Sequence, residues 1–193
     1  ANSNIAIANQ AVFALHGNCS ESGRQVAIVA GAVSGTTSCI AGDWDISLDV
    51  SALADGNVTV TANHSDVAGN AAAQASRNFV KDTAVPALAI SSPAANSIIS
   101  SSNVASFTVS GTCEVGGTGN VVISNHASAA VDCAGGVWTA NLNFTAAPQG
   151  NVSINLNHTD GAGNSAVQVS RIFIKDTIGP TISLTAPAAG TTI

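Results

Sequence analysis

Displaced by 94 residues without a gap, this chain falls onto itself. Cys19 meets Cys113, Cys39 meets Cys133, Trp44 meets Trp138, His64 meets His158, Arg77 meets Arg171, and Lys81-Asp82-Thr83 meets Lys175-Asp176-Thr177. Of the 99 superposed positions 38 are identical, and two cysteines, a tryptophan and a Gly-Asn turn keep register without an insertion. Chance does not do this; the chain is a tandem duplication, and each unit must be a module that can be set end to end with its copies. A unit of this length can bury its own core.

The phase of the repeat sets the expected boundaries. "PALAISSPAANSII" opens at Pro86, "PTISLTAPAAGTTI" opens in the same place at Pro180, and "ANSNI" at 1–5 aligns with 95–99. The expected division is therefore 1–84, a first repeat without its opening strand; 85–178, a second repeat; and 179–193, the first strand of a third. With no initiator Met, the chain reads as a piece of something longer.

Inside each repeat, apolar residues alternate with polar ones and the runs are bounded by Gly, Asn, Asp and Pro. Phe13 and Leu15, Val26 and Ile28, Trp44, Ile46, Leu48 and Val50, and Val58 and Val60 each mark one face of a strand. In the second repeat the strands are expected at 88–91, 105–111, 120–124, 129–133, 137–144, 151–157 and 166–175. No stretch has convincing helical periodicity. Hydrophobic residues make up 46% of the chain, largely small Ala and Val, which is ample for packed sheets. Seven short strands, each with one apolar face, call for two sheets packed face to face, so the fold class is all-β: two tandem Ig-like β-sandwiches arranged end to end.

The four cysteines form two pairs, Cys19 with Cys39 and Cys113 with Cys133, each 20 residues apart. They lack C-x-x-C or zinc-ligand spacing, so disulfides are expected, and with them an oxidising, extracellular or periplasmic setting. Eleven acidic against five basic residues leave no basic patch for a phosphate backbone, so nucleic acid is not an expected partner. No run of about 18 apolar residues exists for membrane insertion, and the N-terminus has no signal-peptide pattern.

"VSGTC", the later Trp, "ADGNVTVTA", "D-x-A-G-N" and "KDT-x-x-P", in that order, resemble the bacterial Ig-like repeats that build the stalks of very large surface adhesins. The resemblance covers the whole chain. It implies an extracellular, elongated fibre at the cell surface, in which most repeats are spacers holding a binding tip away from the cell. Some members of that family bind Ca²⁺ through aspartates at domain junctions. This chain departs from many of them in carrying a disulfide in each domain and a basic residue before the linker Asp.

The repeated turn, "NHSDVAGN" at 63–70 and "NHTDGAGN" at 157–164, is the segment richest in chemistry. Catalysis by His64 or His158 is not expected, because a duplicated spacer offers no convergent set of partners, and one His with one Asp falls short of a zinc site. His16 and His126 lie outside the repeated pattern. Calcium is one reading of the aspartates. Asp66 and Asp82 should lie roughly 30 Å apart at opposite poles of one sandwich. Asp82, however, leaves the first domain toward the pole where the turn of the second carries Asp160. An ion at the junction would be held by Asp82 and Asp160, with Asn164 or backbone carbonyls completing a weak shell. The other reading is that Asp66 and Asp160 close Asx-type turns, with Gly-Asn supplying positive φ, while Asp82 bonds the linker backbone.

The linker "KDTAVP" is short and stiff, so neighbouring repeats should keep a defined orientation, and two sandwiches of about 40 Å each make a particle about 80 Å long. Arg77, Lys81, Arg171 and Lys175, four of the five basic residues, are placed on the last strand, where an edge position would discourage aggregation. Strand addition between copies is a further expectation: "TISLT" at 181–185 is a spare opening strand, and the first repeat lacks one.

These observations point to a non-enzymatic stalk or spacer in an extracellular bacterial adhesin, with no required cofactor and with neighbouring repeats as its partners. A receptor or glycan on a host or prey cell would be met by another domain. Two other readings stay open: a glycan- or protein-binding module, and an accessory domain of a secreted polysaccharide-degrading enzyme.

Overall fold

A computed structural model describes residues 4–123, 127–186 and 190. The end of the strand expected at 120–124, His126 and most of the tail after residue 186 lie outside the described residues. Fifteen strands run in chain order: β1 (Asn4–Ile5), β2 (Phe13–Asn18), β3 (Gln25–Ala30), β4 (Val33–Ser38), β5 (Asp43–Leu48), β6 (Gly56–His64), β7 (Ala75–Lys81), β8 (Leu88–Ser92), β9 (Ile98–Ile99), β10 (Phe107–Cys113), β11 (Thr118–Ile123), β12 (Ala127–Val131), β13 (Val137–Leu142), β14 (Gly150–Thr159) and β15 (Val169–Lys175). Among the described residues there is no α-helix.

The second domain is a sandwich of β8-β10-β13 on β9-β15-β14-β11-β12. Its opening segment is shared between the sheets: β8 pairs antiparallel with β10, and after Pro93 the chain crosses so that β9 pairs parallel with β15. The first domain repeats this plan, with β2-β5 facing β1-β7-β6-β3-β4. Among the described residues nothing stands beside β2 where β8 stands beside β10. In the five-stranded sheets β4 pairs with β3 and β12 with β11; strand alternation alone locates β4 and β12 without showing which sheet they join.

Each domain has one core. In the second, Phe107, Val109, Trp138, Leu142, Phe144, Ile154, Leu156 and Phe173 are buried together. Phe107 meets both Phe144 and Phe173 edge-on, at centroid distances of 5.7 and 5.0 Å. Such pairs add about 0.5–1.5 kcal/mol beyond area burial, of use where much of the remaining apolar content is Ala and Val. The first core is smaller: Trp44, Ala62 and Phe79 are only partly buried, whereas their counterparts Trp138, Leu156 and Phe173 are fully enclosed. Both disulfides form, Cys19–Cys39 and Cys113–Cys133, each with Cα atoms 5.9 Å apart.

The two lysines do not line a free edge. Lys81 and Lys175 are buried, at 3% and 6% exposure, and at these residues β7 and β15 have a strand on either side. An ammonium leaves water only if its donors are met. Lys81 Nζ donates to Leu53 O at 2.5 Å and Ser51 O at 3.3 Å, with Asp55 at 3.7 Å; Lys175 Nζ donates to Ala147 O at 2.6 Å and Thr145 O at 3.0 Å. Each lysine thereby pins the loop before β6 or β14 to the pole where the domain ends.

Candidate functional site

The site with the densest repeated chemistry is the junction, and it is built from the D-x-A-G-N turn upward. In the second copy Gly163 adopts a φ of 101°, and Gly69 in the first adopts 91°, a region in which a side chain is strained. The glycine alone has positive φ here; the asparagine that follows does not share it. That backbone wraps the turn around the aspartate. Asp160 Oδ1 accepts the N–H groups of Ala162, Gly163 and Asn164 at 2.9, 2.7 and 2.8 Å, and Oδ2 accepts the Asn164 side-chain amide at 3.0 Å. Burial pushes the Asp160 carboxyl up, but these hydrogen bonds outweigh it and hold the group below the usual carboxylate range.

Asn164, itself 2% exposed, carries the junction. Its Oδ1 accepts the N–H of Ile7 at 2.9 Å, and its Nδ2 donates to the main-chain oxygen of Asp82 at 2.9 Å. Asn4 Nδ2 adds a longer bond to Gly161 O, 3.4 Å. One asparagine therefore reads a donor and an acceptor on the first domain while bracing the aspartate of its own turn. The other side of the contact is equally prepared: Asp82 N–H donates to Ile5 O at 2.8 Å, which ties the exit of β7 to the end of β1.

The linker motif is fastened on the same pole. Thr83 donates from N and Oγ1 to the Asp55 carboxylate, and Asp82 Oδ1 accepts the N–H of Ala84 at 3.1 Å. In the second repeat Gln149, aligned with Asp55, takes the same part: it bonds Thr177 through both ends of its amide, and Asp176 Oδ1 accepts from Ile178. Pro86 is buried where the chain enters the second domain. The three residues of the "KDT" motif thus have separate tasks: Lys fills the pole, Asp turns the linker and Thr anchors it.

The structure brings Asp82, Asp160 and Asn164 together, as the topology argument anticipated, but through different atoms. Asp82 meets Asn164 with its carbonyl, while its carboxylate serves the linker. Asp160 Oδ1 accepts from three N–H groups and Oδ2 from one, and Asn164 Oδ1 is engaged by Ile7. Calcium needs six to eight oxygens free to turn toward it. As arranged, the oxygens of Asp160 and Asn164 are turned toward N–H donors, and no group of three or more His, Cys, Asp and Glu residues suited to a metal occurs among the described residues.

The first copy of the turn has the same internal bonds without a partner domain. Asp66 accepts from Asn70 N–H at 2.8 Å and from its side chain at 2.7 Å, and these bonds lower its carboxyl pKa; both residues are more exposed than their counterparts. The two histidines of the repeated turns have different surroundings. His64 Nε2 accepts from Glu21 N–H, leaving Nδ1 to donate to Gln25 O, whereas His158 is buried with Nδ1 3.7 Å from Cys133 Sγ. The buried lysines and the role of Asn164 as a hydrogen-bonded junction plug were not read from sequence, although both belonged to repeated motifs that signalled them.

A family profile for the bacterial Ig-like domain (group 3) matches residues 42–112. That span begins in the first domain at Gly42, crosses the linker and ends in β10, so the profile's phase differs from that of the folded domains. No curated protein matches the chain. Among solved structures, one of a 1.5-MDa bacterial ice-binding adhesin, described for host cell surface retention, is similar with a TM-score of 0.51 and 21% identity, covering 91% of this chain and 61% of that one. The chain thus spans about three fifths of that relative. The fibronectin(III)-like modules of Clostridium thermocellum CbhA are similar with a TM-score of 0.54 and 12% identity, covering 96% of both chains. At these identities the shared property is the fold. The chain is a pair of tandem Ig-like sandwiches, of which residues 42–112 match the bacterial Ig-like profile.

Proposed function

We propose that this chain is a spacer segment of an extracellular bacterial adhesin, a non-catalytic pair of repeats that transmits position and load along a surface fibre. The observation that carries this reading is the Asn164 bridge to Ile7 and Asp82. A side chain buried between domains, bonded to backbone on the far side, costs the molecule its inter-domain freedom and gives in return a defined axis. The short clamped linker supports it, since Thr83 and Pro86 leave little slack between the last strand of one sandwich and the first of the next. Two disulfides suit an extracellular place. Calcium is not needed for rigidity on this reading, because N–H donors already occupy the oxygens at the junction.

Small-angle scattering of the two-domain chain with added calcium and with chelator tests the proposal. The expected result is one extended particle, unchanged between the two conditions. A freely hinged or compact particle would remove the spacer reading, and stiffening on calcium addition would remove the hydrogen-bonded junction as its cause.

A further inference from the structure

In the second domain the chain enters at one pole and leaves at the other, and its opening and closing strands lie side by side. Pro86 is buried at the junction pole and β8 leads away from it; after Pro93 the chain crosses to β9, which pairs parallel with the end of β15, Ile98 with Ile174 and Ile99 with Lys175. Lys175 stands opposite Gly150, at the end of β14 away from the Asn164 turn. A pull on the two ends of the domain therefore drags β9 toward the junction and β15 away from it. Hydrogen bonds between parallel strands run across that direction, so they are strained together rather than one after another.

The contact is well supplied with such bonds. Asn96 N–H donates to Ile172 O at 2.9 Å, Ile174 N–H to Ser97 O at 3.1 Å and Asp176 N–H to Ile99 O at 2.9 Å. The Ile99 side chain is fully buried. Side chains hold the rest of the opening segment: the Arg171 guanidinium, on β15, donates to Pro93 O at 2.6 Å and to Ile90 O, and Trp138 Nε1 donates to Ala89 O at 3.0 Å. The first domain repeats the contact, with β1 parallel to the end of β7 and Asp82 N–H donating to Ile5 O.

The disulfide lies off this path. β10 ends at Cys113, and the bond to Cys133 closes the loop that contains β11 and β12. Once β9 and β15 part, tension running along β10 crosses at the sulfurs, and that loop is not drawn out.

We propose that the pairing of β9 with β15 is a mechanical latch: the second domain resists stretching by shear between its opening and closing strands, and Cys113–Cys133 limits how far the chain extends once that pairing fails. The latch deepens the spacer reading, on which it rests for the source of tension, but it resides within one domain rather than at the junction. Forced unfolding follows the unfolding rate rather than equilibrium stability, so contacts at the latch count for more than equally buried ones elsewhere.

Single-molecule stretching of the full chain, held by its two ends, is the test, with chemical denaturation of the same variants beside it. Asp176→Pro removes one of the three N–H donors, and the rupture force of one of the two domains should fall by about a third. Ile99→Val, a loss of one buried methyl group that the fold can absorb, should lower the same peak and serves if the proline variant does not fold. Val131→Ala removes more buried surface, from β12 inside the disulfide-closed loop, so it should be the less stable of the two in denaturant and yet leave the rupture force as it was. Reduction should lengthen each extension step by about 60–66 Å, the reach of a separation of 20 residues less the 5.9 Å already spanned. Rupture forces that follow the denaturant order, forces indifferent to both Asp176→Pro and Ile99→Val, or steps unchanged by reduction would overturn the proposal. A hinged particle in solution scattering would instead remove the spacer reading and leave the order of rupture forces as it is.

Discussion

The side-chain amide of Asn164, in the second sandwich, donates to the main-chain oxygen of Asp82 at the exit of the first, 2.9 Å away. Its other end accepts from Ile7, so one residue satisfies two groups across the boundary. Asn164→Ala should therefore loosen the two domains and cost about 1–3 kcal/mol, the penalty for leaving bonded groups without partners. Asn70→Ala, at the equivalent place in the first repeat, breaks only bonds within its own turn. Scattering curves of the two variants should separate them: the first broadens the distribution of inter-domain orientations, the second leaves it unchanged.

Replacing the buried lysines should hurt more than surface lysines ever do. Lys175→Met keeps the aliphatic volume but leaves Thr145 O and Ala147 O without their donor, and a loss of about 1–3 kcal/mol is expected in chemical denaturation. Lys81→Met should behave alike in the first domain. A negligible change in either would mean that water replaces the ammonium without cost.

Acid should weaken the junction turn with a definite sign. The folded Asp160 carboxyl lies below its ordinary value, since hydrogen bonds from Asn164, Gly163 and Ala162 prevail over burial. The folded state thus holds that proton less tightly than the unfolded chain. Its stabilisation is fully present above the unfolded value of about 3.9 and is lost as pH falls through the lower, folded value. Thermal unfolding followed against pH should show Asp160→Asn less stable than wild type at neutral pH, with the gap closing in acid.

Reduction should strike the two domains in order. Cys19 is partly exposed, whereas Cys113 and Cys133 are both buried, so a mild reductant should open Cys19–Cys39 first. Closing a loop of about 20 residues stabilises a domain by about 3 kcal/mol in the loop-entropy description. Thiol labelling followed by mass spectrometry gives the order, and melting of the reduced protein gives the loss.

Much of this architecture was legible because duplication makes signal visible. Two copies of Cys19, Trp44 and the D-x-A-G-N turn gave module length and seven of the eight strands of the second domain, missing the short β9, and chain direction alone placed Asp82 near Asp160. Other features depend on contacts that no local pattern carries. Period-two alternation places β12 as a strand but is blind to whether it pairs with β11 or crosses to the other sheet. Lysine is ordinarily a surface residue, and only the carbonyls of a loop some 30 positions earlier make Lys81 and Lys175 core residues. The aspartates suggested an ion because carboxylate chemistry is what a sequence displays; the N–H donors that engage Asp160 come from the turn's backbone, which every residue possesses.

The Asp66–Asn70 turn has a consequence for how such a module meets whatever abuts it. Its aspartate is already bonded by the asparagine at 2.8 and 2.7 Å, as Asp160 is by Asn164 at the docked junction. The plug is thus preformed in the undocked state. Little conformational entropy remains to be lost on docking, and the few hydrogen bonds of the contact can be spent on orientation.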